Sequence, residues 1–82
     1  MKSINEFNVG DVIEVLSIDL SSYKKERMLS IGFTRGAIIK VIRIGPKMNL
    51  IVYDVRGAMV ALREDESKFI YGRKYEEVDL WD

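Results

Sequence analysis

Few side chains in this sequence are equipped for chemistry. One dense carboxylate cluster, Glu64, Asp65 and Glu66, has the oxygen donors that a hard cation takes. Adjacent turn residues point in different directions and water competes well for them, so the same residues also fit a solvated turn between two strands. Ser21, Ser22 and Ser30 become nucleophiles only beside a base. The chain has no His and no Cys. The commonest general base near neutral pH, the imidazole metal ligand and the thiolate are therefore all missing, and the three serines read as helix caps. "GFTRG" and "IGPK" lack the spacing and the Lys-Ser/Thr ending of a phosphate-cradling loop. No catalytic residue, metal ligand or cofactor is assigned, and the chain is expected not to be an enzyme.

With 82 residues and no break in composition, the chain has apolar surface for one core and one domain. Met1 to Gly10 lacks the basic start and continuous apolar run of an export signal, which predicts a cytoplasmic protein. The longest apolar stretches are interrupted by Lys40, Arg43 and Asp54, well short of the roughly 20 residues that span a bilayer, so no membrane insertion is expected. Net charge is zero but unevenly placed. Residues 1–63 hold ten Lys/Arg against six Asp/Glu, and residues 64–82 hold three against seven. A body of +4 and a tail of −4 lack the overall basic field that attracts nucleic acid.

The elements that must position these residues follow from periodicity. Val12 to Ile18 alternates after a Gly-Asp turn and predicts a first strand. Asp19, Ser21 and Ser22 are competent caps ahead of helix formers from Lys24 through Leu29, with Met28 and Leu29 facing the core. Gly32 sits where a left-handed residue ends the helix. "AIIKVIRIG" is a second strand with Ile39, Val41 and Arg43 on one side and Ile38, Lys40, Ile42 and Ile44 on the other. After a Gly45-Pro46 loop, "LIVYDV" and "AMVALR" flank the two-residue link Arg56-Gly57, and "KFIYG" closes the set. The fold class predicted is mostly β, a small closed barrel of about five strands with one short helix between the first and second strands. Residues 1–72 form the barrel domain and residues 73–82, "RKYEEVDLWD", a tail.

In order along the chain, "NVGDVIEV", "ERMLSIGFTRGAIIKVI", Val55, Gly57, Ala61, Leu62 and Arg63, and then "ESKFIYG" resemble the FeoA family, small SH3-like barrels associated with bacterial ferrous-iron uptake. The resemblance covers roughly Ile4 to Tyr71. It implies a non-catalytic accessory that binds the cytoplasmic part of the FeoB transporter, which carries a GTPase domain, and so works at the inner face of the membrane through its partner.

Lys24, Arg27, Ile31, Phe33 and Arg35, on the helix and the turn after it, are the candidate partner contacts, since an exposed aromatic beside Arg is a frequent anchor. Phe33 and Ile31 fit a plug beneath the helix equally well, and Arg27 a solvated charge. Lys47 and Met48, at the tip of the Pro46 loop, form a second candidate patch. Tyr53 and Tyr71 suit either the barrel wall or a peptide groove. Tyr75, Leu80 and Trp81 of the tail have three possible places: over a barrel opening, as an edge strand, or on a neighbouring molecule in a homo-oligomer. The rival class is an SH3-like nucleic-acid-binding or transcription-regulatory module, for which Lys40, Arg43 and Arg56 are few and scattered.

Overall fold

The computed structural model describes residues 1–76. In chain order the elements are β1 (Lys2–Ser3), a 3-10 turn (Ile4–Glu6), β2 (Val12–Ile18), α1 (Ser22–Ile31), β3 (Ile38–Ile44), a second 3-10 turn (Pro46–Met48), β4 (Leu50–Val55), β5 (Ala58–Arg63), α2 (Glu64–Ser67) and β6 (Ile70–Lys74). The six strands make one antiparallel sheet in the order β1-β6-β2-β3-β4-β5. Among the described residues there are thus six strands, not five, and α1 stands between β2 and β3, because β1 is too short to show any periodicity. The predicted tail begins inside β6, which runs on to Lys74, and the Tyr75 amide still donates to the Val12 carbonyl at 2.8 Å.

The sheet is open, so the expected closed barrel is corrected. Its edges, β1 and β5, share no ladder. The 3-10 turn after β1 and α2 after β5 pack on each other instead. Ile4 and Phe7 enter the core from the N-terminal side, and Ser67 of α2 is fully buried. Side chains rather than backbone hydrogen bonds bring the two ends of the sheet together. α2 departs from the sequence expectation: the acidic "EDES", which reads as a solvated turn, forms a short helix, where Glu66 accepts a hydrogen bond from the Arg63 amide at 3.2 Å and caps the first turn.

Burial departs from simple alternation in both long strands. In β2, Ile13 and Val15 are buried, a bulge then inserts Leu16, and Ile18 packs against the core from the other parity. In β3, Ile39 and Val41 are buried, a bulge inserts Ile42, and Ile44 turns inward opposite Ile51 while Arg43 is exposed. The predicted face of Ile39, Val41 and Arg43 is therefore wrong at Arg43. An extra residue shifts the side-chain phase by one and bends the strand, which keeps both halves of each strand on one core.

α1 touches that core mainly through Met28, which is fully buried, whereas Leu29 is 38% exposed rather than seated inward. The helix ends in a Schellman motif. The Phe33 amide donates to the Met28 carbonyl at 3.0 Å, and the Gly32 amide to Leu29 at 3.1 Å. Gly32 has φ 123°, and a Cβ there would lie 2.8 Å from Val55 Cγ1. Phe33 then drops into the core, meeting Tyr53 edge-on with ring centroids 6.0 Å apart. The Tyr53 hydroxyl is buried without a hydrogen-bond partner among the described residues. Ser67 is its polar neighbour, but that hydroxyl is directed at the Glu64 carbonyl, 3.4 Å away. Burial pushes the Tyr53 phenol up, with Ser67 partly opposing.

Gly32→Ala is expected to lower unfolding free energy by about 2 kcal/mol, from the left-handed backbone and the Val55 contact together, measured by denaturant titration. For Tyr53 the sign is reversed. Phenylalanine there removes an unpaired buried hydroxyl, so stability at neutral pH should stay level or rise by about 1 kcal/mol. A raised folded-state pKa means the unfolded chain ionises first, so stability falls as pH rises beyond the ordinary tyrosine value of about 10. Alkaline melts should show part of that loss removed in Tyr53→Phe.

Candidate functional site

The outer side of α1 is a polar surface that contributes nothing to the core. From Ser22 to Ser30 every residue except Met28 is exposed. The helix starts at Ser21 without a side-chain cap; its first turn rests on the Lys25 amide donating to the Ser21 carbonyl at 2.7 Å. At the other end, the Ser30 hydroxyl donates to the Glu26 carbonyl at 2.8 Å. Both groups are used locally, and none of these serines stands beside a base. Lys24, Lys25 and Arg27 project outward against the single acid Glu26, and Arg35 continues the cationic surface into the turn before β3.

Arg27 does not stand alone. Its guanidinium is ion-paired to Glu66 of α2, the residue whose other oxygen caps α2 at Arg63. The pair links two helices through residues 39 apart in sequence. Lys24, Arg27, Arg63, Asp65 and Glu66 line the shallow cleft between them. On the far side of α2 a second cleft is lined by Asn5, Glu6, Lys47 and Glu64, and the Glu64 amide donates to the Asn49 carbonyl at 3.2 Å. The two candidate patches, α1 and the Pro46 turn, therefore flank α2.

Lys24, Arg27 and Arg35 are exposed and Ile31 is half-buried against the core. Phe33 is corrected: it is fully buried, so it cannot be an exposed anchor, because the Schellman turn aims it at Tyr53. Lys47 is exposed at a tip with φ 61°. Met48 belongs to the same 3-10 turn, and its side chain lies outside the described residues. Tyr53 is core, and Tyr71 is half-buried in β6. Leu80 and Trp81 lie outside the described residues, while Tyr75 is exposed. Among the described residues no group of three or more His, Cys, Asp or Glu could hold a metal ion. Nor is any helix among them long and apolar enough to cross a membrane.

Sequence reasoning missed the Arg27–Glu66 link. The spacing Arg63-x-x-Glu66 hints at a helix start, but nothing local says that Glu66 also reaches α1.

A family model described as the FeoA domain matches residues 2–74. No curated protein matches the chain. Among solved structures, the FeoA protein from Chlorobium tepidum superposes with a TM-score of 0.85 at 28% identity, over 98% of this chain and 75% of that one. An iron uptake regulatory protein (FeoA) superposes with a TM-score of 0.79 at 26% identity, over 90% of this chain and 96% of that one. FeoA from Stenotrophomonas maltophilia complexed with zinc, described as a procaryotic SH3 domain protein, gives a TM-score of 0.77 at 19% identity, over 89% and 91%, a likeness of fold alone.

A double-mutant cycle of Arg27→Ala and Glu66→Ala should give a coupling of about 0.5–1 kcal/mol that shrinks in high salt, since the arginine is mostly exposed. The single Glu66→Ala change should cost more than Arg27→Ala, because it also uncaps α2.

Proposed function

The chain belongs to the FeoA domain family, and on that premise we propose that it is a non-catalytic accessory protein of ferrous iron transport. In this reading it binds the cytoplasmic part of an FeoB-like transporter, through the outer face of α1 and the turn that follows. Family membership supports the iron-transport assignment, as does the solved relative described as an iron uptake regulatory protein. The observation that carries the choice of surface is the exposed cationic row Lys24, Lys25, Arg27 and Arg35, which no folding requirement explains apart from the Arg27 ion pair.

The physical logic is that of a shaped, pre-formed docking element. The Schellman turn and the buried pair Met28 and Phe33 hold α1 at its C-terminal end, so a partner meets a helix whose orientation is already set and the cost of ordering it has been met by folding. Cations on such a face steer an acidic surface and govern association rate and salt dependence. Lys40, Arg43 and Arg56 lie elsewhere, on β3 and the β4–β5 hairpin, and do not extend this row.

Binding of the full chain to a purified FeoB cytoplasmic domain and to the full-length transporter tests the proposal. Lys24→Glu with Arg35→Glu should weaken binding about tenfold or more, roughly 1.4 kcal/mol, with no change in the thermal midpoint. Phe33→Ala should act through loss of folded protein instead. Failure of the unaltered chain to bind either partner overturns the proposal, and charge-reversed variants that bind normally exclude this surface.

A further inference from the structure

β5 ends the sheet, with β4 on one side of it only. The link to β4, Arg56-Gly57, has positive φ at both residues and closes on the pair Val55 and Ala58, so Ala58, Val60 and Leu62 exchange hydrogen bonds with β4. The N–H and C=O groups of Met59, Ala61 and Arg63 therefore face outward. Two amides bordering this stretch are already used: Gly57 donates to the Asp54 carboxylate at 2.8 Å and Arg63 to Glu66 at 3.2 Å. Among the described residues no backbone hydrogen bond outside the ladder engages Met59 or Ala61. Two donors and two acceptors, on residues two apart, are thus open in strand geometry. Between them and the strand ends nothing blunts the edge: Ala58 to Leu62 contains no charge, no Pro and no bulge, and Met59 is 61% exposed.

This pattern is complementary to itself. An antiparallel second copy related by a two-fold axis at Val60 sets Met59 opposite the second copy's Ala61, and each such pair exchanges two hydrogen bonds. All the open groups of Met59 and Ala61 are then used. Moving the axis to Met59 or to Ala61 instead calls on the Gly57 or the Arg63 amide, which Asp54 and Glu66 already hold. The same register suits the side chains. On the outer face the long, exposed Met59 meets the small Ala61, and on the inner face the half-buried Val60 meets its own equivalent as a close β-branched pair. Charge agrees at the ends of the strand. Arg56 falls opposite Glu64, which is exposed at the start of α2. The Arg56 guanidinium uses one donor on Thr34 Oγ1 at 3.2 Å and has others to offer. Arg63, which lines the α1–α2 cleft with Asp65 and Glu66, falls opposite Gly57 and meets no side chain there. We propose that two copies of this chain pair antiparallel along β5, about a two-fold axis at Val60, into one continuous sheet. This strip is separate from the α1 face, so the pairing stands or falls independently of transporter binding.

The test uses the full chain at rising concentration, followed by sedimentation equilibrium and NMR. One short strand per copy is a small interface, so the average mass should climb toward two chains only over an about hundredfold rise in concentration. Amide exchange at Met59 and Ala61 should slow with it by about tenfold or more. A mixture of isotope-labelled and unlabelled chain should show contacts between copies from Val60 to Val60 and from Met59 to Ala61. Ala61→Pro removes an outward amide at an edge position that proline tolerates, and should abolish all three signals while leaving exchange in β2 and β3 intact. Arg56→Glu leaves the β5 backbone alone and should weaken pairing about threefold, and adding Glu64→Arg should restore it. A chain that stays monomeric overturns the proposal, as does association without the Val60 contact or indifferent to either variant. It is also overturned if exchange at Met59 and Ala61 is slow at every concentration, since this chain itself then covers the edge.

Discussion

One extra residue in each of two neighbouring strands, Leu16 in β2 and Ile42 in β3, decides how this small sheet encloses a core. A chain of this length has apolar surface for a single core, so each long strand must keep an apolar side on it along its whole run. Strict alternation would direct Arg43 inward and Ile18 and Ile44 outward. The bulges reverse the phase part-way and bend the strands, placing Ile18 and Ile44 against the same cluster as Ile13, Val15, Ile39 and Val41. β4, β5 and β6 contribute to that cluster through Ile51, Tyr53, Val55, Leu62 and Ile70.

Because the sheet bends without closing, its ends must be managed by other means. The contact between the first 3-10 turn and α2 does this at one end of β5, and Glu66 is the hinge of the arrangement. One carboxylate caps α2 and holds Arg27 of α1. Glu66 is thus a structural joint, its carboxylate shared between a cap and an ion pair, while Glu64 and Asp65 stay exposed. The opposite stretch of β5, at Met59 and Ala61, receives no such cover among the described residues.

The two surfaces left over by folding differ in kind. α1 presents side-chain charge on a rigid helix, while β5 presents backbone groups along a strand. Tyr53, whose phenol burial pushes up, sits in the core rather than on either surface.

Much of this was legible in the residue order. The strands from Val12, Ile38, Leu50, Ala58 and Ile70, the helix before Gly32 and the hairpin at Arg56-Gly57 follow from local periodicity and turn chemistry, which act over a few residues. The family resemblance rests on the same local pattern. Tertiary structure alone decided that Leu16 and Ile42 are bulged, that Phe33 points inward, that Glu66 joins two helices and that the sheet stays open. Each of these depends on partners far apart along the chain, such as Phe33 with Tyr53 or Arg27 with Glu66, whose meeting lowers the free energy only once the whole core has assembled.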